Sequence, residues 1–270
     1  MKRHGVHLEI NIGVVLPLVK YKVISDIYFD PNILLWPEWK YFLIDYSCNA
    51  TLIVKITFDQ GFKYGLEILD NRLGKPVLKD EEDILCVNQD WTEAMIISPE
   101  RKIRNTYKLL NALLLSHLST RQTIEMHASL IQTAEKGIMF LGPSEIGKTT
   151  QAELWMQYRG AEIINGDMVF VKKEEDRFLG CGSPWHGSSS YCLNKQVPLS
   201  ALIVLKQSKQ NTIRRLTGFE MVSSVMSSVF WPTWYREGYE AACETFDTLL
   251  NTVPVYELSC RPDEDAVKLT

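Results

Sequence analysis

The sequence has no apolar run approaching the roughly 18 residues that a membrane-crossing helix needs, so no helical span is expected. It also lacks a basic excess: 29 Lys and Arg stand against 33 Asp and Glu, a formal net charge of -4. Nucleic-acid and anionic-membrane binders neutralise phosphates with a basic surface, so neither partner is expected and any phosphate recognition must be local. Cysteine is present without pattern. Cys48, Cys86, Cys181, Cys192, Cys243 and Cys260 form no CxxC pair and no dense framework, which argues against structural zinc and disulfides. Buried free thiols in a reducing compartment are expected. No fixed-period repeat and no low-complexity tract occurs, which removes the solenoid and disordered classes. The stretch MKRHGVHLEINIGVVLPLVKYKV starts basic, yet Glu9, Asn11, Pro17 and Lys20 interrupt its apolar run, so a secretory signal is not expected. These absences point to a cytoplasmic protein.

What is present divides in two. Up to about residue 98 the texture is strand-like, with alternation in HLEINIGVV, KYFLIDY and ATLIVKITF and turn signals in DPN and DNRLGKP. Asp26, Asp30 and the run KDEED at 79–83 read as turns and solvated faces, so residues 1–98 are expected to form a β-rich domain without catalytic chemistry. In SPERKIRNTYKLLNALLLSHL, Ser98 reads as an N-cap, Pro99 as the first helical residue and Glu100 as a first-turn acid. That helix is expected to open a second domain, residues 99–270. TIEMHASLIQT then alternates as a strand, and GIMFLG is a continuous apolar run suited to a strand buried on both faces. The helix TTQAELWMQYRG ends on Arg159 and a C-terminal Gly160, and AEIINGDMVFVKK reads as further strand. The order strand, loop, helix, strand is the frame a phosphate loop requires.

The loop itself is LGPSEIGKTT. Gly142, Gly147, Lys148 and Thr149 satisfy GxxxxGK[ST], with Pro143, Ser144, Glu145 and Ile146 between the glycines. A loop that follows a buried strand and opens a helix aims backbone N–H groups and the helix N-terminus at one anion. Lys148 can reach the β and γ phosphates of ATP and the Thr149 hydroxyl can ligate Mg²⁺, while Thr150 continues the helix. Asp167 in EIINGDMVF stands at a strand end, where a second metal ligand is expected; the other reading is a turn aspartate. His127 in MHAS lies on the strand before the loop strand, either facing the phosphates or packed in the core. CGSPWHGSSS, residues 181–190, reads as a tight exposed loop in which His186 and the hydroxyls can meet a substrate. Arg214 or Arg215 could neutralise transition-state charge, and Thr217 with Glu220 reads as a capping box. FWPTWY, residues 230–235, reads as core or lid packing.

MHAS, GPSEIGKTT, INGD, GSPWHG and VPVYELSCRPDEDAV, in that order, resemble the catalytic domain of the HPr kinase/phosphorylase family, and more closely its small relatives found with lasso-peptide and other peptide-modification systems. The resemblance covers about residues 99–270. It implies an α/β fold: a mixed-sheet P-loop kinase domain of the HPr kinase/phosphoenolpyruvate carboxykinase type, here behind a small β-rich N-terminal domain. It implies transfer of the γ-phosphate of ATP, with Mg²⁺, to a hydroxyl, most naturally a serine of a peptide or small protein. His127, Lys148, Thr149 and Asp167 match family positions near the nucleotide and metal. Two departures stand out. The family usually has a further Gly where Glu145 stands, and two adjacent aspartates where this chain has Gly166 and Asp167. One task of that pair, accepting the hydroxyl proton, is left to His186, to His127 or to Asp167 itself, or no transfer occurs. A nucleotide-binding accessory module and a small-metabolite kinase are the competing readings. Related kinases assemble into oligomers, which leaves a homo-oligomer open.

Overall fold

The structure, a computed structural model, describes residues 83–98 and 103–270, together with the strands Ile10–Val15 (β1), Lys20–Ser25 (β2), Leu43–Ile44 (β3), Leu52–Phe58 (β4) and Pro76–Asp80 (β5). The chain divides into two compact units, residues 1–117 and 118–270. The boundary expected at Ser98 lies one helix earlier than this division.

In the first unit, β1 to β5 join Asp83–Val87 (β6) and Glu93–Ser98 (β7) in a sheet of order β3-β1-β2-β4-β7-β6-β5. The β2–β4 and β4–β7 pairings are parallel and the others antiparallel. Ser98 closes β7, opposite Phe58, rather than capping a helix; the following helix α1 spans Ile103–Ser119, and Pro99 and Glu100 lie outside the described residues. Asp83 begins β6 and is buried, not solvated, while Asp26 and Asp30 also lie outside the described residues.

The second unit is built on a nine-stranded mixed sheet. Its elements are Thr123–Thr133 (β8), Lys136–Leu141 (β9), helix Lys148–Arg159 (α2), Glu162–Asn165 (β10), Met168–Glu174 (β11), Arg177–Cys181 (β12), Gln196–Gln207 (β13), Thr212–Arg215 (β14), helix Gly218–Met226 (α3), Val229–Phe230 (β15), helix Arg236–Thr252 (α4), Val255–Cys260 (β16) and helix Glu264–Leu269 (α5). Two long strands hold it together. The first half of β8 pairs with β11 and its second half with β9 and β10; β13 pairs first with β12, then with β9 and β16. Strand β9 alternates between two cores. Met139 and Leu141 pack into a cluster with Phe178, Leu202, Phe246 and Leu249, whereas Ile138 and Phe140 pack with Trp155 of α2 and Val267 of α5. Both faces are covered, which is why GIMFLG is apolar throughout.

Local signals at α2 act as expected: Gly160 adopts φ 63° at its C-cap and its N–H returns to Met156 O at 3.1 Å. At α3 they do not. Thr217 makes no side-chain capping bond, and the Glu220 carboxylate that would supply the reciprocal bond of the box is held by Arg214. Among the described residues no helix is long and apolar enough to cross a membrane.

Candidate active site

The parallel strands β9 and β13 run in the same direction, and the loop that leaves the C-terminal end of β9 at Leu141 returns as α2 at Lys148. Such an edge is where α/β folds place ligands. Gly147, the N-cap of α2, has φ 108° and Gly142 has φ 136°, conformations that an L side chain rarely adopts. Glu145, in the position where the resemblance implies glycine, has φ 64°. The backbone there takes the left-handed turn a glycine would favour, at a steric cost of about 1–2 kcal/mol. Pro143, Ser144, Glu145 and Thr150 are exposed, and Ile146 packs back against the core under α2.

Lys148 is buried, and its Nζ donates to Gly142 O at 3.1 Å and Pro143 O at 3.2 Å. Burial lowers its pKa, an effect that the nearby charge of Asp167 partly opposes. Thr149 reaches across to β10: its Oγ1 donates to Gly166 O at 3.3 Å. The neighbouring Asp167 accepts from His127 Nε2 at Oδ1, 2.9 Å, with both side chains a little under one-third exposed. Threonine hydroxyl, carboxylate and imidazole thus meet at the Gly166–Asp167 turn, with the Lys148 ammonium near enough to feel the Asp167 charge.

Asn165 shapes that turn. Its Oδ1 accepts from the N–H groups of Asp167 and Met168 at 2.8 and 2.9 Å, and its Nδ2 donates to Ser183 O and Trp185 O at 2.9 and 3.0 Å. Ser129 Oγ donates to Gly166 O at 2.9 Å and Ser183 Oγ to Met168 O at 2.7 Å. The local pattern in EIINGDMVF points to Asp167 and not to Asn165. An asparagine whose side chain binds its own backbone two residues on is a recognised turn signal, yet its second set of partners lies about twenty residues away and is invisible locally.

The loop that follows corrects an expectation. Residues 181–186 are buried rather than exposed: Trp185 packs edge-on against Phe170 at 6.2 Å, and only Gly187, Ser188 and Ser190 are open to solvent. His186 is 8% exposed and its Nδ1 bonds the Ser189 carbonyl within its own loop. The loop instead crowds the turn. A Cβ on Gly187 would overlap Asp167 Oδ2, and a Cβ on Gly166 would overlap the Ser189 hydroxyl and lie 2.8 Å from Ser189 Cβ. The position where the resemblance implies a first aspartate therefore has no room for a side chain while Ser189 stands where it does.

Phe230 of β15 lies 6.4 Å from His127, and Trp231 packs on Phe246, so FWPTWY is packing in and beside this region. Arg214 and Arg215 are not brought to the site. They lie on β14, whose Arg215 pairs with Tyr256 at the opposite end of β16, and Arg214 is held by Glu220 and Glu257. Next to the loop lies a cavity of about 380 Å³, bounded by Glu145, Gly147, Thr150, Gln151, Lys206 and Arg261. The Gln151 side chain is buried there and its Nε2 has no acceptor among the described residues.

Among solved structures, the chain is similar to the HPr(Ser) kinase/phosphatase from Coxiella burnetii, at 12% sequence identity and a TM-score of 0.33, over 54% of this chain and 90% of that one. No family model and no curated protein matches the sequence.

Proposed function

We propose that residues 118–270 form an ATP- and Mg²⁺-dependent phosphotransferase whose acceptor is a hydroxyl, a serine of a peptide or small protein. The observation that carries this reading is that Thr149, at the end of the glycine-bounded loop, and the His127–Asp167 pair meet at the turn after β10, within reach of the Lys148 charge.

The residues present fit a bound nucleotide. A buried ammonium whose hydrogen bonds go to carbonyls of its own loop, with the Asp167 charge nearby, is further stabilised by an anion placed beside it, and the start of a helix favours an anion at the same place. The adjoining cavity is of a size suited to a nucleoside, and its buried Gln151 Nε2 supplies a donor for a base or ribose. The Thr149 hydroxyl and the Asp167 carboxylate are oxygen donors of the kind Mg²⁺ takes. When bound, Mg-ATP supplies the phosphoryl group.

The chain's own work is positioning and charge neutralisation, which dominate phosphoryl transfer. Lys148 offsets phosphate charge. His127, bonded to Asp167 through Nε2, presents Nδ1 as the nitrogen that takes up the hydroxyl proton, and Asp167 then stabilises the imidazolium. This pair fills the task for which the resemblance implies a second carboxylate. Gly187 leaves the face of Asp167 clear of a side chain.

A second reading rests on Gly166: with one carboxylate in place of two, the site binds nucleotide without transferring it. Purified protein and Lys148→Ala, given Mg²⁺ and γ-labelled ATP with serine peptides and with a host-cell extract, separate these readings. Lysine-dependent label in the peptide or protein fraction is expected. Label among small molecules points to a metabolite kinase, ATP binding with no label supports the binding module, and equal labelling by the variant overturns the site.

A further inference from the structure

A second cavity, of about 540 Å³, lies at the other end of the sheet face that carries α2 and α5. It shares no residue with the cavity beside the phosphate loop. Its origin is geometric. Helices α2 and α5, of 12 and 6 residues, are about 18 and 9 Å long, too short to cover the whole face of β9, β13 and β16. Side chains alternate along a strand, so Lys136 faces the same way as Ile138 and Phe140, and Arg215 the same way as Ile213. The uncovered part is therefore a cleft across the strands, with Ile138, Ile203, Ile213 and Tyr256 as floor and Trp155 and Leu269 as walls.

The two ends of the cleft carry charge. Lys136 on β9 and Arg215 on β14 are separated by three strand spacings, roughly 14 Å. Both are exposed, and neither has an ion-pair partner among the described residues, whereas Arg214 is committed to Glu220 and Glu257. In a chain of net charge -4, two uncommitted cations on the rim of an apolar trough are a local departure. Trp155 is buried in the wall, and its indole N–H has no acceptor among the described residues. The volume falls in the range of small-molecule sites, which pair an apolar lining with a few placed polar groups.

We propose that this cleft binds an elongated apolar anion, of the class of a medium-chain carboxylate, with its chain on the Ile138–Ile203–Tyr256 floor and its charged end on Lys136 or Arg215. The site is independent of the phosphate loop, which leaves the opposite end of β9.

The test uses full-length protein labelled with 5-fluorotryptophan, the Trp155 resonance being identified by its loss in Trp155→Phe. Titration with octanoate is expected to move that resonance saturably and leave the other tryptophan signals in place. Octanol, equal in chain and lacking the charge, is expected to bind at least tenfold more weakly. The double variant Lys136→Gln/Arg215→Gln changes exposed side chains, so its remaining resonances report an intact fold, and its octanoate affinity is expected to fall at least tenfold. No saturable shift at Trp155, equal binding of octanol, or undiminished binding by the double variant overturns the proposal. No nucleotide enters the assay, so its outcome and that of the transfer experiment stand apart.

Discussion

Placing an aspartate at position 166 tests whether the single-carboxylate turn is built into this fold. A side chain there meets Ser189, whose Cβ would be 2.8 Å from the new Cβ and whose hydroxyl, bonded to His186 O, would overlap it. Overpacking of this kind costs about 1–3 kcal/mol. For a chain of this size that is a fall in melting temperature of roughly 2–12 °C, at about 2–4 °C per kcal/mol. Removing Ser189 as Ser189→Gly loses one hydrogen bond, about 0.5–1.5 kcal/mol, and also the obstruction. The double variant Gly166→Asp/Ser189→Gly should therefore be more stable than the sum of the single changes by about 1–2 kcal/mol. Urea denaturation of the four proteins measures this coupling. Strict additivity, or a Gly166→Asp protein as stable as the parent, would refute the claim that the 186–190 loop excludes a second carboxylate.

Replacing the buried ammonium as Lys148→Met should leave the ligand-free melting temperature within a few degrees, because loss of two hydrogen bonds and relief of a buried charge oppose one another. A hundredfold excess of Mg-ATP over Kd should stabilise the parent by about 2.7 kcal/mol and Lys148→Met by far less; an equal thermal shift in both would contradict the loop assignment. Because burial lowers the Lys148 pKa, the folded state holds that proton less tightly than the unfolded chain. Ligand-free stability should thus rise with pH between the lowered value and the ordinary lysine value, and the rise should be smaller in Lys148→Met. Relieving the left-handed strain as Glu145→Gly should change stability by no more than about 1 kcal/mol and keep nucleotide binding, since the gain in the fold is offset by a freer unfolded chain; a loss above about 2 kcal/mol in denaturant titration would count against it. Asn165→Ala orphans buried groups on both of its sides and should cost about 2–4 kcal/mol by the same measurement; a cost under about 1 kcal/mol would deny it the hub role. Cys260 lines the loop cavity, and burial, then Asp263, raise its thiol pKa. Its alkylation, read by peptide mass spectrometry, should be slow and be slowed several-fold by Mg-ATP, with Cys243 as the unaffected control; a rate indifferent to nucleotide would place the nucleoside elsewhere.

Several of these features could be read from neighbouring letters alone. The glycine spacing of the 142–147 loop, the Gly160 stop to α2 and the unbroken apolar run of β9 each depend on residues within one turn or one strand. Backbone sterics and side-chain periodicity dictate them wherever the segment lies. The same local reading failed where a residue had two suitors. Glu220 had the spacing of a capping box but is taken by Arg214, a stronger charged partner that approaches from β14. CGSPWHGSSS had the composition of an exposed loop but buries Trp185 on Phe170, because burial of a large aromatic outweighs the polarity of its small neighbours.

What this sequence determined by itself was the local pattern: a glycine-bounded loop opening a helix, a lysine and threonine at its end, and an aspartate and a histidine each at or beside a strand. Which of these meet was decided only by the tertiary structure. His127 and Asp167 are 40 residues apart, and Gly166 meets Ser189 only because the loop folds back over the turn. The antiparallel register of β8 with β11, Met168 opposite His127, puts the histidine beside the carboxylate. The uncovered cleft between Lys136 and Arg215 likewise follows from how far two short helices reach across a sheet. Pairings across tens of residues depend on strand register and packing, and no local pattern of side chains encodes them.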